Sequence, residues 1–273
     1  MKKYIYIGTA AVLGILVSCA TNPFTGKSTL ALVPDSQIFP SAFQQYNAFL
    51  TENKVVSGTA DAQRLQNVGL KIRGAAEKWL NANGYQGYLK DYAWEFKLIQ
   101  SPDLNAWAMP GGKVVFYTGI LPVCQDDAGI ATVMGHEVAH ALANHGQQRM
   151  SAGLLQQLGA AGTQIAVGGE SEQTQALAMQ AYGVGSQVGA MLPFSRKHES
   201  QADEIGLILM AVAGYNPDVS VAFWQRMSAK AGGGGAPPEL LSTHPSDATR
   251  MANLKRLIPK AKAEAAKFGI TFK

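Results

Sequence analysis

Few charged residues and few cysteines are present, and both shortages exclude classes of protein. Charged residues make up 15% of the 273 residues, and 23 Lys and Arg against 19 Asp and Glu leave a net charge of +4. No run of basic residues is long enough to follow a phosphate backbone, so we expect no nucleic-acid partner. The two cysteines, Cys19 and Cys124, cannot form the several disulfides that stabilise a small secreted domain. Because 47% of the residues are hydrophobic, packing of an apolar core has to stabilise the fold.

The N-terminal segment is apolar but shorter than the roughly 20 residues that span a bilayer. Lys2 and Lys3 precede an uncharged stretch at residues 4–17, which is typical of a signal peptide. The stretch leads into Leu-Val-Ser-Cys, which resembles the bacterial lipobox, where cleavage before the cysteine leaves it as a lipid-modified first residue. We therefore expect a lipoprotein signal peptide over residues 1–18 and a lipid anchor at Cys19. The alternative is an ordinary signal peptide with an incidental cysteine.

An anchor at this position predicts a location and a domain order. The chain would face the periplasm of a bacterium from the cell envelope. Ala20 and Thr21 lack the aspartate associated with retention at the inner membrane, so the outer membrane is favoured. Residues 19–40 contain several prolines and are predicted to form a tether, and residues 41–273 are predicted to form one domain.

The hydrophobic pattern of that domain predicts an α+β fold that is mainly helical. Apolar residues recur at helical spacing from about Asp61 to Leu80. Alternating residues at 92–99 and 113–117 then predict a small antiparallel sheet. From Asp126 onward nearly every segment has a helical pattern. The uncharged stretch at residues 152–169 is expected to be a helix packed inside the domain.

The most informative motif is His136-Glu137-x-x-His140, which lies in one of the predicted helices. At 100° per residue, the two histidines are only about 40° apart, so both imidazoles can bind one metal ion. Glu137 lies on the flank of the same face and is free to act as a general base toward water, as in zinc peptidases. Chance alone would produce this pattern about 0.003 times in a chain of this composition, so the motif predicts a zinc site.

A catalytic zinc ion needs a third protein ligand and keeps a fourth position open. Glu199, Asp203 and Gly206 fall within about 60° of one another on a further predicted helix. Glu199 can therefore reach the metal. Asp203, one turn further on, is placed to accept the outer N–H of a ligand imidazole. The alternative is that both acidic residues lie on a solvated helix face.

At this point the chain resembles metallopeptidase family forty-eight, the gluzincins related to HtpX and to the CAAX-prenyl endopeptidases. Four blocks match the family in order: Asn105-Ala-Trp-Ala-Met-Pro-Gly-Gly112, His136 to His140, Glu199-x-x-Ala-Asp203-x-x-Gly206, and Thr243-His-Pro-Ser246 followed by Arg250. The resemblance implies Zn²⁺ held by His136, His140 and Glu199, with Glu137 as the catalytic base.

The resemblance also implies a substrate and a way of binding it. An extended peptide would pair with the edge strand formed by Asn105, Ala106, Trp107 and Ala108, which agrees with strand addition as a mode of peptide recognition. The implied function is a zinc-dependent endopeptidase that cleaves misfolded or unassembled envelope proteins. The alternative is an assembly factor or chaperone that binds unfolded clients with little proteolysis.

Three histidines lie outside the predicted ligand set. His145 is expected to pack within the fold, and His198 is expected on the surface. His244 follows the predicted linker Gly232 to Pro238, so a hinge can bring its side chain across a cleft. Its imidazole can either stabilise the oxyanion during attack on the carbonyl or occupy the open zinc position and hold the enzyme latent. The structural alternative is a histidine at a helix entry before Pro245.

Overall fold

The structure is a computed structural model, and it describes residues 19–231, 238–244 and 248–272. The predicted signal peptide lies outside the described residues. Pro245 and all of the predicted linker except Pro238 lie outside them as well.

The described chain forms two compact units. The smaller unit contains the described residues up to Ile38 together with Asn144–His198. The larger unit contains Phe39–Ala143 and the described residues from Glu199 onward. Every residue of the predicted metal site belongs to the larger unit.

Short strands and long helices make up both units. The strands are β1 (Cys19–Thr21), β2 (Ser28–Leu30), β3 (Val55–Val56), β4 (Glu95–Ile99), β5 (Ala106–Met109) and β6 (Lys113–Tyr117). The helices are α1 (Asp35–Glu52), α2 (Ala60–Ala82), α3 (Leu121–Cys124), α4 (Asp127–Leu142), α5 (His145–Ala166), α6 (Glu172–Ser186), α7 (Leu192–Val212), α8 (Val219–Ala231), α9 (Glu239–Thr243) and α10 (Ala248–Ala266). A 3-10 turn at Thr118–Ile120 precedes α3, and a π-helical segment at Gln187–Met191 joins α6 to α7. Among the described residues, no helix combines the length and the apolar character needed to cross a lipid bilayer.

The larger unit contains a four-stranded sheet in the order β3, β4, β6, β5. β6 is an inner strand, and its residues from Lys113 to Phe116 are all buried. β5 is an edge strand that pairs antiparallel with β6. The predicted fold, mainly helical with a small sheet and an edge strand after Asn105, is confirmed. One detail differs: β4 and β6 run parallel, because an alternating pattern identifies a strand but not the direction of its neighbour.

Helix α2 forms where the apolar spacing predicts it. Thr59 caps the first turn, and its side chain accepts a hydrogen bond from the backbone N–H of Ala62. The apolar residues at helical spacing are buried: Leu65, Val68, Ile72, Ala75, Ala76 and Leu80. The chain leaves the helix through Asn83 and Gly84, whose φ of +87° favours glycine.

Helix α4 carries the histidine motif through the interior of the larger unit. Asp126 caps it, with Oδ1 accepting a hydrogen bond of 2.8 Å from the backbone N–H of Gly129. Every residue from Gly129 to Leu142 is buried. Polar side chains on this helix therefore need partners inside the protein, because a buried polar group without one is costly.

Helices α4 and α7 contact each other through two glycines. A Cβ atom built on Gly135 would lie 2.7 Å from the carbonyl oxygen of Gly206, and one built on Gly206 would lie 2.8 Å from the backbone nitrogen of His136. Only glycine allows the backbones to approach this closely. This contact brings the helix of His136 directly against the helix that carries the predicted acidic residues.

The smaller unit contains the β1–β2 hairpin, in which Cys19 pairs with Leu30, and the helices α5 and α6. The two helices contact each other through polar groups, since the Tyr182 hydroxyl donates a 2.8 Å hydrogen bond to the carbonyl of Gln156. Apolar side chains of α5 face outward, with Leu158 67% and Ile165 82% exposed. The prediction that residues 152–169 pack inside the domain is therefore wrong.

The smaller unit contains His145 and His198, and their rings stack on each other. The rings of His145 and His198 lie 4.1 Å apart and are inclined by 10°. Both side chains are buried, and Nε2 of His198 lies 3.1 Å from Oε1 of Gln148. The packing role predicted for His145 agrees with this position, but the surface position predicted for His198 is wrong.

The glycine contact between α4 and α7 leads to a stability prediction. Gly206→Ala should lower the free energy of unfolding by about 1–3 kcal/mol, because a methyl group there meets backbone atoms that cannot move independently. Gly74→Ala is the matched control, since nothing lies within 4 Å of a Cβ on this helical glycine. It should leave stability unchanged or raise it by up to about 1 kcal/mol. Urea unfolding measures both, and equal midpoints for the two variants would contradict the close contact.

Candidate metal centre

Four side chains of the larger unit bring their ligand atoms to one place. His136 and His140 come from α4, Glu199 comes from α7, and His244 follows α9. One ligand atom from each lies within 4.8 Å of the others. The sequence predicted the first three as zinc ligands, and His244 joins them.

The distances within this cluster suit a metal ion. Nε2 of His136 and Nε2 of His140 are 3.1 Å apart, and each is 3.3 Å from an oxygen of Glu199. Ligands in a tetrahedron at about 2.0–2.1 Å from zinc lie about 3.3 Å from one another. Two imidazole nitrogens and one carboxylate are also a ligand set found in catalytic zinc sites. The residues present therefore fit a zinc ion.

His244 adds a fourth side chain to this set. Its Nδ1 lies 2.8 Å from Oε2 of Glu199 and 3.1 Å from Nε2 of His136. The His244 side chain is buried, so it points inward from the end of α9. An imidazole at this point lies where a catalytic site keeps its fourth position for water or substrate.

Burial and hydrogen bonds set the charges of the cluster. Burial raises the pKa of Glu199, but hydrogen bonds from the three histidines outweigh burial and hold this pKa far below its usual range. Burial lowers the pKa of His140 to about 3. Burial also lowers the pKa of His136, but hydrogen bonds to Asp203 and Glu199 outweigh it and raise the value to about 9. Glu199 is thus an anion and His140 a neutral ligand at neutral pH, while metal binding by His136 requires the loss of a proton.

Asp203 lies behind His136, on the side of the ring away from the cluster. Oδ1 of Asp203 is 3.0 Å from Nδ1 of His136, which leaves Nε2 directed at the cluster. Arg250 binds the same carboxylate, with Nε 2.9 Å from Oδ2 and Nη2 2.6 Å from Oδ1. Burial raises the pKa of Asp203, but the charge of Arg250 and the contact with His136 lower it below the usual range. No separate role is predicted for Arg250 from the sequence, although this residue belongs to the fourth matching block.

Glu137 lies beside the cluster without belonging to it. Its side chain is buried, and its Oε1 lies 3.6 Å from Nε2 of His244. The metal cluster uses His136, His140, Glu199 and His244, so the carboxylate of Glu137 is not one of the four ligand groups. This arrangement agrees with the predicted separation between a base and the ligands.

The edge strand β5 lies next to α4, the helix of the histidine motif. The backbone N–H of Tyr117 donates a hydrogen bond to the carbonyl of Asn105, which makes these two residues a hydrogen-bonded pair of the β5–β6 ladder. Because such pairs alternate along antiparallel strands, Trp107 also bonds to β6, and the backbone groups of Ala106 and Ala108 point to the open edge. Asn105 caps the start of this edge, its Oδ1 accepting a hydrogen bond from the N–H of Ala106.

The fold and this cluster define a zincin-type metallopeptidase. The sequence also matches the profile described as Peptidase family M48 over residues 73–258, and the chain therefore belongs to that family. It is a zinc metalloprotease, because members of the family use zinc and the ligand cluster is present.

Curated relatives agree with this class. The chain is 34% identical over 180 residues to the mitochondrial metalloendopeptidase OMA1 of Schizosaccharomyces pombe, covering 64% of this chain and 50% of that protein. It is 30% identical over 246 residues to the human mitochondrial metalloendopeptidase OMA1, covering 88% of this chain and 46% of that protein. It is also 30% identical over 166 residues to the beta-barrel assembly-enhancing protease of Escherichia coli, covering 59% of this chain and 33% of that protein. The chain thus spans about half or less of the length of these relatives.

The relatives correct the predicted location. Six of them, from yeasts, a plant and animals, are named as mitochondrial proteins, and the bacterial relatives match a shorter part of the chain. The prediction of a bacterial outer-membrane lipoprotein facing the periplasm is wrong. It depended on a four-residue pattern ending at Cys19, which carries far less information than alignments over 180 residues.

Proposed function

We propose that this metalloprotease cleaves unfolded or unassembled polypeptides. One observation carries the proposal: α4, which holds two residues of the ligand cluster and Glu137, lies next to β5, an edge strand of the described sheet. An edge strand selects extended backbone rather than folded structure. The name of the Escherichia coli relative, a beta-barrel assembly-enhancing protease, supports substrates that have not completed assembly.

His136, His140 and Glu199 would hold the metal in this proposal. Zinc, when bound, supplies Lewis acidity that polarises a carbonyl group and lowers the pKa of a water molecule. Glu137 accepts the proton of the attacking water and returns it to the amine that leaves. Asp203 holds His136 with Nε2 toward the metal, through the 3.0 Å contact at Nδ1.

The substrate would extend β5 as an added strand. The carbonyl of Ala106 and both backbone groups of Ala108 point outward, so they pair with the substrate backbone and leave the β5–β6 ladder intact. The N–H of Ala106 already donates to Oδ1 of Asn105. Trp107 packs against Phe49, with ring centres 4.9 Å apart, and this contact holds the strand in place. Pairing through the backbone favours a protease with broad sequence tolerance.

His244 would hold the resting enzyme latent. Its Nδ1 lies among the ligand atoms, 3.1 Å from Nε2 of His136, which favours occupation of the open metal position over the oxyanion role. A substrate would then have to displace this imidazole before it reaches the metal.

We also propose lipid attachment at Cys19. The support is the sequence pattern that ends at this residue and the exposed position of its side chain. This proposal concerns the attachment and not the compartment.

The assigned base and ligands can be separated by two substitutions. Glu137→Gln should keep zinc and lower cleavage of an unfolded casein by at least about 100-fold, because the amide cannot accept a proton. Glu199→Ala should lose zinc as well as cleavage. Glu204→Gln, on the same helix but outside the cluster, is the control. Zinc content and peptide release are measured together, and equal cleavage by wild type and Glu137→Gln would reject the base.

The outward backbone of Ala108 can be tested with proline. Ala108→Pro should impair casein cleavage with zinc content and melting temperature unchanged, because it removes an N–H that faces the open edge. Trp107→Pro is the contrasting variant, since it removes a bond of the ladder itself and should destabilise the sheet. Full activity of a folded Ala108→Pro variant would argue against strand addition.

If His244 holds the enzyme latent, its removal should raise activity, whereas the substitutions above lower it. His244→Ala should raise the rate of casein cleavage at equal zinc occupancy, because the open position no longer has to be vacated. Ser242→Ala, an exposed change two residues away, is the control. A fall in rate with normal zinc would favour the oxyanion role, and an unchanged rate would dismiss both roles.

A further inference from the structure

Arg250 is a buried arginine that the catalytic scheme above does not use. It lies on α10, and only 7% of its surface is exposed. Its Nε and Nη2 donate hydrogen bonds to the two oxygens of Asp203, at 2.9 and 2.6 Å. Its Nη1 donates a third, of 3.1 Å, to the backbone carbonyl of His244. The centre of the guanidinium lies 3.6 Å from the centre of the Trp224 ring.

This geometry requires arginine rather than any cation. The planar guanidinium offers a fixed fork for a carboxylate and a third N–H group in the same plane, and its face stacks on an aromatic ring. A lysine would retain the charge but not the paired contact to Asp203 or the stacking on Trp224. One side chain therefore connects α7, α8, α10 and the segment after α9.

Two of these contacts lead to the metal cluster by different routes. Oδ1 of Asp203 contacts both Nη2 of Arg250 and, at 3.0 Å, Nδ1 of His136. The carbonyl of His244 is held by Nη1, while the ring of the same residue lies 2.8 Å from Oε2 of Glu199. A single guanidinium thus contacts the group that orients one zinc ligand and the backbone of the imidazole that covers the open position.

We propose that Arg250 is a positioning residue that couples the resting position of His244 to the orientation of His136. The proposal rests on the role of His244 given above. Arg250 holds the His244 backbone in place, so that the imidazole stays in the cluster until substrate arrives. When the His244 segment moves away, Arg250 loses one hydrogen bond but keeps Asp203, and the ligand His136 stays oriented. A purely structural buried ion pair would not connect these two functions.

The experiment measures zinc release from the full zinc-loaded chain into excess EDTA. The variants are Arg250→Lys, His244→Ala and the double variant, with the exposed Arg256→Lys on the same helix as the control. Each single variant should release zinc about 10-fold faster or more, and Arg256→Lys should match wild type. Because Arg250 acts partly through His244, the acceleration in the double variant should be smaller than the product of the two single accelerations.

Two results would overturn the proposal. If the acceleration of zinc release in the double variant equals the product of the two single accelerations, Arg250 acts independently of His244. If folded Arg250→Lys releases zinc at the wild-type rate, Arg250 positions neither His136 nor His244. If Arg250→Lys melts early, the release rates of all variants are compared at a temperature at which Arg250→Lys is still folded. The same non-additivity with His244→Ala is then required. Zinc stoichiometry and casein cleavage of the wild type are measured separately, so failure of the protease function itself is seen as absent zinc or absent cleavage.

Discussion

The close contact of α4 and α7 is the constraint on which the catalytic centre depends. Gly135 and Gly206 let the two backbones touch, and a Cβ atom at either position would lie within 3 Å of backbone atoms of the other helix. Asp203 lies nearly one helical turn before Gly206, and Glu199 lies about two turns before Gly206. Both carboxylates therefore extend along the face of α7 that meets α4. His136, which follows Gly135, is then within reach of Asp203 on one side of its ring and Glu199 on the other. A wider separation of the helices would remove both contacts together.

Charge balance is the second requirement, since this close contact buries several ionisable groups. Glu137, Asp203 and Glu199 place carboxylates in or near the cluster, and a buried charge is costly unless it is paired. Arg250 pairs with Asp203 from the side of α10. A divalent cation at the histidines would balance the negative charge that remains. Zinc and Arg250 would then neutralise the same group of carboxylates, so we expect zinc affinity to depend on the Arg250–Asp203 ion pair.

The sequence predicts what a single helix determines and misses what several elements determine together. The spacing of His136 and His140 fixes their angular relation on α4, and the cap and apolar positions fix the helix itself, so this part of the site is predictable. The ion pair of Arg250 with Asp203 joins residues that are 47 positions apart in sequence, and no local sequence pattern predicts such a contact. The exposure of Leu158 is not predicted for a similar reason. An uncharged helical sequence does not show which face packs on a neighbour, and here α5 contacts α6 through polar groups. The parallel pairing of β4 and β6 likewise depends on the path of the chain rather than on the residues of either strand.

The imidazole of His244 contacts both the ligand cluster and Glu137. Its Nδ1 lies 2.8 Å from a ligand oxygen of Glu199, and its Nε2 lies 3.6 Å from Oε1 of Glu137. One imidazole ring thus contacts both the ligand cluster and Glu137, so in the proposed mechanism a single displacement of His244 would expose the metal position and the base together. In this proposal only molecules in which the ring has moved away can bind substrate, so the apparent affinity is the intrinsic affinity multiplied by the fraction of such molecules. If substrates pair along β5 as proposed, their backbone hydrogen bonds would offset this cost, whereas a folded protein offers no such strand. The proposed preference for extended substrates would then follow from the energetics of opening.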